Sequence, residues 1–421
     1  MGNHLACCTS IRSTGRKSAV IKNYPNNSYD YIFTGAGCAG LSLLMQLIRS
    51  GKFHDKKILL IDKGPKTTND RTWCFWEHEP GLFEPIVHKR WNAAWYHTER
   101  FSRLLDLSPF QYKMVRGIDF YKYCFDVISK QSNIDVLYSP IEYVDHITNS
   151  VVAGERFHAL YIFNSIPLKV NSPAPSFDSA MPAIASMKYG RIKKNYHYLY
   201  QHFKGWTIET QEPCFDPSQA TLMDFRVSQQ HGTTFVYVLP LSPNKAMVEY
   251  TLFTSQLLQP YQYDEGLQEY INRFIPAEFS IVEEETGVIP MTDYRFRYNV
   301  NHVFNLGSAG GQTKPSSGYT FYFIQQHSKA ICQALIEKGN PYIRPMYPGR
   351  FRYYDSVLLN VLATGKLTGK KVFDALFRKN KPADVLRFLN NESQFGTDLT
   401  IISSLPTGPF LRAGLQQAIK G

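Results

Sequence analysis

The chain has 421 residues, 43% apolar and 19% charged, with a formal net charge of +11; this excludes wholesale disorder and leaves enough length for two intimately packed lobes. Seven cysteines (Cys7, Cys8, Cys38, Cys74, Cys124, Cys214, Cys332) form no Cys-x-x-Cys pair and no cysteine–histidine spacing suited to zinc, so a reducing, cytoplasmic compartment and no metal site are expected. Aromatic residues at 14% suit either a large ring-lined apolar pocket or simple core filling.

Residues 1–28 carry Arg12, Arg16, Lys17 and Lys22 without an acidic residue or a secretory apolar run, and are expected to form a targeting or disordered extension. Tyr31-Ile32-Phe33 predicts a buried strand, Leu41 to Ile48 the helix after it, ended by Gly51, and Ile58 to Ile61 a second strand finishing at Asp62. A helix is expected from Ile118 to Ser129, then short strands at Val136–Tyr138, Ile141–Val144 and Leu160–Phe163. Pro167, Pro173, Pro175 and Pro182 mark a loop-rich exit. From Met187 to Ile289 the pattern alternates in the strand manner, most clearly over Phe235–Leu239 and Met247–Phe253. Nucleotide-binding character returns at Val303–Gly307, and the remainder reads as helical. Glu283-Glu284-Glu285 reads as a solvated turn without a role.

No uninterrupted apolar run spans a membrane, since Tyr31–Ile48 is broken by three glycines. Lys366, Lys370, Lys371, Arg378, Lys379 and Lys381 are interleaved with Val372, Phe373, Leu376 and Phe377. That rhythm suits either an anionic membrane surface, giving peripheral attachment, or a solvated basic helix packed on the core. No nucleic-acid-binding motif accompanies the charge.

Gly35-Ala36-Gly37-Cys38-Ala39-Gly40 is the dinucleotide fingerprint between a strand and a helix. Gly35 permits the tight turn, Gly37 lets backbone amides approach a pyrophosphate, and Gly40 allows close helix–strand packing. The helix N-terminus offers its free N–H groups to the phosphates, and Asp62 would accept from ribose hydroxyls. Lys63 and Arg71 complete this candidate set. About 270 residues on, the segment from Gly307-Ser308-Ala309-Gly310-Gly311 through Ser316-Ser317-Gly318-Tyr319 leads into another helix. An enzyme wrapping an extended flavin nucleotide needs such a segment, with Gly307, Ala309, Gly310 and Gly311 near the flavin end; a nicotinamide dehydrogenase does not. An ordinary strand-to-helix loop is the other reading.

Five ordered blocks carry a resemblance: Asp70-Arg71-Thr72-Trp73-Cys74-Phe75-Trp76, Leu222-Met223-Asp224-Phe225-Arg226, Phe235 to Ser242, Val248-Glu249-Tyr250-Thr251 and the distal glycine segment. In these the chain resembles the bacterial flavoprotein lycopene beta-cyclases over nearly all residues beyond Tyr29. The resemblance implies an α/β, glutathione-reductase-like FAD-binding Rossmann domain with an inserted β-sheet substrate domain and a helical C-terminal region. The expected boundaries are 29–186 and 290–335 for the FAD-binding parts, 187–289 for the sheet domain and 336–421 for the helices. It also implies reduced FAD as a non-redox cofactor, NAD(P)H as its reductant, and lycopene, an apolar polyene, as substrate.

In that family an acidic pair followed by Thr carries the catalytic carboxylate first, which falls on Glu249; Tyr250 replaces the second acid. Mutual repulsion within such a pair is then absent, so desolvation must raise the Glu249 pKa. Alternation places Met247, Glu249 and Thr251 on one face. The alternative is a structural carboxylate paired with an arginine such as Arg226. Asp224 either shares the catalytic duty or orients a neighbour, and Trp73, Phe75 and Trp76 either face a carbocation or pack in the core. Rival functions are a flavin-dependent isoprenoid oxidoreductase, such as a prenyl reductase or epoxidase, and a non-catalytic carotenoid-binding protein. Ser308 stands where flavin monooxygenases commonly carry Asp, which leans against the first.

Overall fold

The structure is a computed structural model that describes residues 27–166 and 196–420. The basic N-terminal stretch as far as residue 26 and the exit marked by Pro167, Pro173, Pro175 and Pro182 lie outside the described residues.

An eight-stranded sheet holds the fingerprint. Val303–Asn305, Glu155–Asn164, Ser28–Thr34, Ile58–Asp62 and Ile134–Tyr138 run parallel in that spatial order. These strands are apolar on both faces because both are covered. Tyr31, Phe33, Ile58 and Leu60 pack beneath the helices Cys38–Ser50, Gly117–Ile128 and Phe321–Lys338. Ile32, Leu59 and Ile61 pack with Val144 and Val151 from the hairpin Tyr143–Asp145/Ser150–Ala153. The predicted helix from Ile118 is Gly117–Ile128, and the Leu160–Phe163 strand extends back to Glu155.

A second sheet of seven strands has the order Phe279–Thr292, Tyr198–Thr210, Lys245–Thr254, Thr233–Ser242, Gln219–Asp224, Ala93–Thr98, Phe101–Asp106. It is therefore not drawn from 187–289 alone: two strands come from the chain well before it, and the last reaches Thr292. One face, with Trp206, Val236, Val248, Tyr250 and Leu252, packs under the helix Pro260–Phe274. The other, with Phe235, Tyr237, Met247 and Phe253, packs against the C-terminal helices and a three-stranded sheet that carries Trp76, Tyr112 and Met114. Glu283-Glu284-Glu285, expected as a solvated turn, lies inside the strand Phe279–Thr292.

The basic helix Gly369–Lys379 buries Val372, Phe373, Leu376 and Phe377 in this second core. On its outside Lys370 pairs with Glu99 and Arg378 lies over the Phe101 ring. The apolar side chains of that helix are thus spent on packing in the core. Among the described residues no helix is long and apolar enough to cross one.

Close approach explains two glycines. A Cβ at Gly40 would lie 2.4 Å from the Gly35 carbonyl oxygen, and one at Gly310 2.2 Å from that of Asn305. Backbone cannot retreat as a flexible side chain can, so Gly40→Ala should destabilise the protein by about 1–3 kcal/mol in denaturant titrations. Unchanged stability would mean that the glycine turn is looser than described.

Candidate active site

The fingerprint turn is built from backbone. Gly35 takes φ +93°, and its amide donates to the Ile61 carbonyl at 2.7 Å. The Ala36 amide donates to Asp62 Oδ2 at 2.7 Å, and Asp62 also receives Gly64 N–H and pairs with Lys66. Asp62, expected to serve a ribose, is thus also the clasp between the two strands. Gly37 caps the helix Cys38–Ser50 without any side-chain hydrogen bond, and nothing lies within 4 Å of where its Cβ would be. The first-turn N–H groups therefore remain for an anion. Burial pushes the Cys38 thiol up to about 12, which keeps it protonated. Lys63 is exposed.

The two glycine segments meet. Gly307, at φ +58°, lies so close that its Cβ would be 2.9 Å from that of Ala39. Gly307 to Gly310, including Ala309, form a single 3-10 turn, and Gly311 follows at φ +71°. The segment continues to Tyr319, and the helix it leads into begins at Phe321. Within the segment, buried Lys314 binds Asp355 at 2.6 Å and Asn391 at 2.7 Å, tying the loop to the C-terminal helices.

Beyond this loop lies a cavity of about 480 Å³. Ser308, Ser317, Gly318, Tyr319, Thr320 and Phe321 form one wall; Arg71, Thr72, Trp73 and Cys74 another; and the second sheet contributes Gln201, Phe203, Tyr237, Met247, Glu249 and Glu285. Two buried polar atoms on the lining, Gln201 Oε1 and Ser317 Oγ, have no hydrogen-bond partner among the described residues. Unmatched polar atoms beside uncapped helix ends fit a dinucleotide, whose phosphates the amides after Gly37 would hold.

Glu249 points into this cavity. As alternation predicts, Met247 shares its face, and the Thr251 hydroxyl donates to Glu249 Oε1 at 2.7 Å. No arginine pairs with Glu249 in the described residues; Arg226 is held elsewhere. Desolvation, opposed by the Thr251 hydrogen bond and reinforced by the negative charge of Glu285, raises the Glu249 pKa to about 8. The like-charge contribution absent from the Glu249-Tyr250 pair therefore comes from a different strand. Tyr250 lies on the opposite face, its ring against Gly266 of the covering helix, because neighbours along a strand point to opposite sides.

Asp224 is not brought to the cavity. It is fully buried, chelated by the Arg226 guanidinium at 2.6–3.1 Å, and it accepts the Tyr270 hydroxyl at 2.8 Å. Trp73 lines the cavity, whereas Phe75 stacks on Phe321 at 4.5 Å and Trp76 donates to the Leu386 carbonyl in the core. Arg71 stands at the cavity and hydrogen-bonds Asp70. Two residues escaped the sequence reading: Glu285, masked by its acidic neighbours, and Gly205, whose signal was a glycine inside an apolar strand.

A family described as lycopene cyclase protein matches residues 30–415. The chain belongs to the lycopene cyclase family. Within it, a protein named lycopene beta-cyclase from Pantoea ananas is 25% identical over 276 residues, 63% of each chain. The match thus spans less than two thirds of that relative's length. Another protein of that name, from Pseudescherichia vulneris, is 23% identical over 322 residues, covering 72% of this chain and 74% of that one. A geranylgeranyl bacteriochlorophyll reductase-like protein from Thermoplasma acidophilum shares the fold, with a TM-score of 0.54 at 14% identity over 93% and 96% of the two chains.

The environment of Asp224 sets it apart from Glu249 in this family member. Removing a buried carboxylate strands its partners, so Asp224→Ala should cost up to about 3–5 kcal/mol of stability. Calorimetry showing a stability near that of the original chain would return Asp224 to the list of groups free for chemistry.

Proposed function

We propose that this chain is a lycopene beta-cyclase: a redox-neutral, FAD-dependent enzyme that closes the acyclic ends of lycopene into β-rings. The observation that carries this reading is a protonatable carboxyl, Glu249, facing an aromatic-lined cavity that the distal glycine segment also lines.

FAD fits the two abutting glycine segments and, when reduced, would supply negative charge beside the reacting end of the polyene. NAD(P)H is the proposed source of its electrons. The chain's own groups do the rest. Since the Glu249 pKa is about 8, its acid form predominates at neutral pH. It delivers a proton to C2 of the terminal double bond, leaving a tertiary cation at C1; the C5–C6 double bond attacks C1; and loss of the C6 proton leaves the ring alkene. One proton enters and one leaves, so no electrons are consumed.

An alkene is a weak base, and its cation is short-lived in water. Tyr112, Tyr237, Tyr319 and Phe203 line the cavity around Glu249, displacing water and offering ring faces to positive charge. Burial holds the three tyrosine hydroxyls firmly protonated, so none of them competes as an acid in the working range.

The polyene would reach the cavity from a membrane to which the protein attaches peripherally. Leu411, Leu415 and Ile419, spaced by four along the C-terminal helix and 63–87% exposed, support that part of the proposal.

With chemically reduced FAD and no oxygen, lycopene should be converted to β-ring product without consumption of NADPH. In D2O, one deuterium should enter each ring. Activity should fall as pH rises through about 8, where Glu249 loses its proton, and Glu249→Gln should reduce turnover ~10²–10⁴-fold with flavin still bound. Full activity of that variant removes Glu249 from the chemistry, and stoichiometric use of NADPH or oxygen replaces the cyclase with an oxidoreductase.

A further inference from the structure

Resting on the cyclase reading, we propose that Glu285 is the second carboxylate of the site: the base that receives the C6 proton after Glu249 has given one to C2.

Strand register carries the argument. Gly205 pairs with Glu249 on one side and with Glu285 on the other, and Glu249 pairs onward with Tyr237. Directly paired residues point to the same face, so Tyr237, Glu249, Gly205 and Glu285 form one row across four strands. A bulge at Thr207/Ile208, where Val282 is skipped, sets the phase of the last strand. One residue of slip would turn Glu284 inward instead. The consecutive acids accordingly have separate fates. Glu283 accepts from Asn69, Glu284 pairs with Lys204, and Glu285 reaches the cavity.

Gly205 keeps the space between the two carboxyls open. A Cβ there would lie 3.5 Å from both Cβ and Cγ of Glu249 and 3.0 Å from the Met247 Cε. Two strand spacings, roughly 9–10 Å between the outer backbones, leave a slot in which a closing six-membered ring has one carboxyl on each side. The environments assign the roles. Burial pushes both carboxyls up, but at Glu249 only the Thr251 hydroxyl opposes it, whereas at Glu285 the Thr72 amide at 2.8 Å and the positive charge of Arg71 oppose it. Those donors make 285 the more readily ionised of the two, and their absence favours the acid at 249.

The step balances. Glu249 loses its proton to C2, the C1–C6 bond forms from the C5–C6 pair, and the Glu285 carboxylate removes the C6 proton as the C5–C6 double bond returns. Glu285 then releases its proton to solvent and Glu249 takes one up from solvent, which resets the pair. Since the intermediate C5 cation can lose a proton from C4 instead, giving an ε-ring, the placement of Glu285 also determines ring type.

The experiment compares Glu285→Gln, Glu285→Asp and Gly205→Val with the original FAD-loaded enzyme on lycopene, using pH profiles and chromatography of the rings formed. Glu285→Gln should lower cyclisation ~10²–10⁴-fold, abolish the acid limb of kcat/KM, move the alkaline limb to lower pH and raise the share of non-β rings. Glu285→Asp should restore part of the rate, and Gly205→Val should block turnover. Infrared titration of the protonated Glu249 carbonyl in flavin-free protein, with Glu285→Gln against the original, reads the coupling independently of activity or fold loss on loading; a lowered Glu249 pKa is expected. Near-original rate and pure β-rings in Glu285→Gln, or an unmoved Glu249 titration, overturn the inference. If the original enzyme forms no rings from lycopene, the cyclase reading itself fails and the C6 role falls with it, an outcome distinct from a variant-specific null.

Discussion

Everything in the site depends on keeping one carboxyl group short of water. In solvent Glu249 would be ionised at neutral pH; the cavity holds it protonated chiefly by desolvation. The second sheet achieves this through its second, covered face. Three-stranded sheet and C-terminal helices pack over the rows that carry Tyr237 and Met247, so the acid opens toward the cavity and not toward bulk solvent. Burial also has a thermodynamic sign. A carboxyl whose folded pKa lies above its unfolded value weakens the fold as pH rises from about 4.3 toward 8, because the unfolded chain can release a proton that the folded chain retains. The site therefore keeps a group that packing alone would not select.

A second constraint joins that acid to the nucleotide fold. Gly307 against Ala39 places the end of one glycine segment on the start of the first helix. From there Ser308 and Ser317–Phe321 extend the same loop into the cavity wall. The loop has little side-chain bulk of its own, so it is held by others: Gln312 receives the Gly307 amide at 2.8 Å, Lys314 is clamped by Asp355 and Asn391, and Phe321 stacks on Phe75. The Asp70–Trp76 block thus contributes twice, with Trp73 facing the cavity and Phe75 supporting the helix that borders it.

Much of the nucleotide half is legible in sequence, because its signals are local. The Gly35–Gly40 turn, the strand before it and the strand ending at Asp62 each follow from a period or a glycine spacing. The face carrying Met247, Glu249 and Thr251 follows from simple alternation. Pairing partners do not. Nothing near Glu285 announces that Gly205, 80 residues earlier, will stand opposite it, and three consecutive acids carry no strand-like apolar rhythm. The Asp224 block was legible as a block but not as chemistry: an arginine two residues away and a tyrosine from the covering helix close around it, and only the latter contact is non-local. The basic C-terminal helix was ambiguous for a related reason, since an apolar stripe looks the same whether it meets core or lipid.

The replacement of an acid by Tyr250 then becomes intelligible. Side chains at 249 and 250 leave opposite faces of their strand, so within this fold a carboxylate at 250 would point beneath the helix Pro260–Phe274, into Leu267 and Ile271. Charge there would be desolvated without reaching the cavity, while a tyrosine ring fills the space against Gly266. Electrostatic pressure on Glu249 has to arrive laterally, along the hydrogen-bonding direction of the sheet, from a residue in register two strands away. Glu285 occupies that position, and a glycine between the two is what allows a pair of carboxyls on separate strands to share one volume.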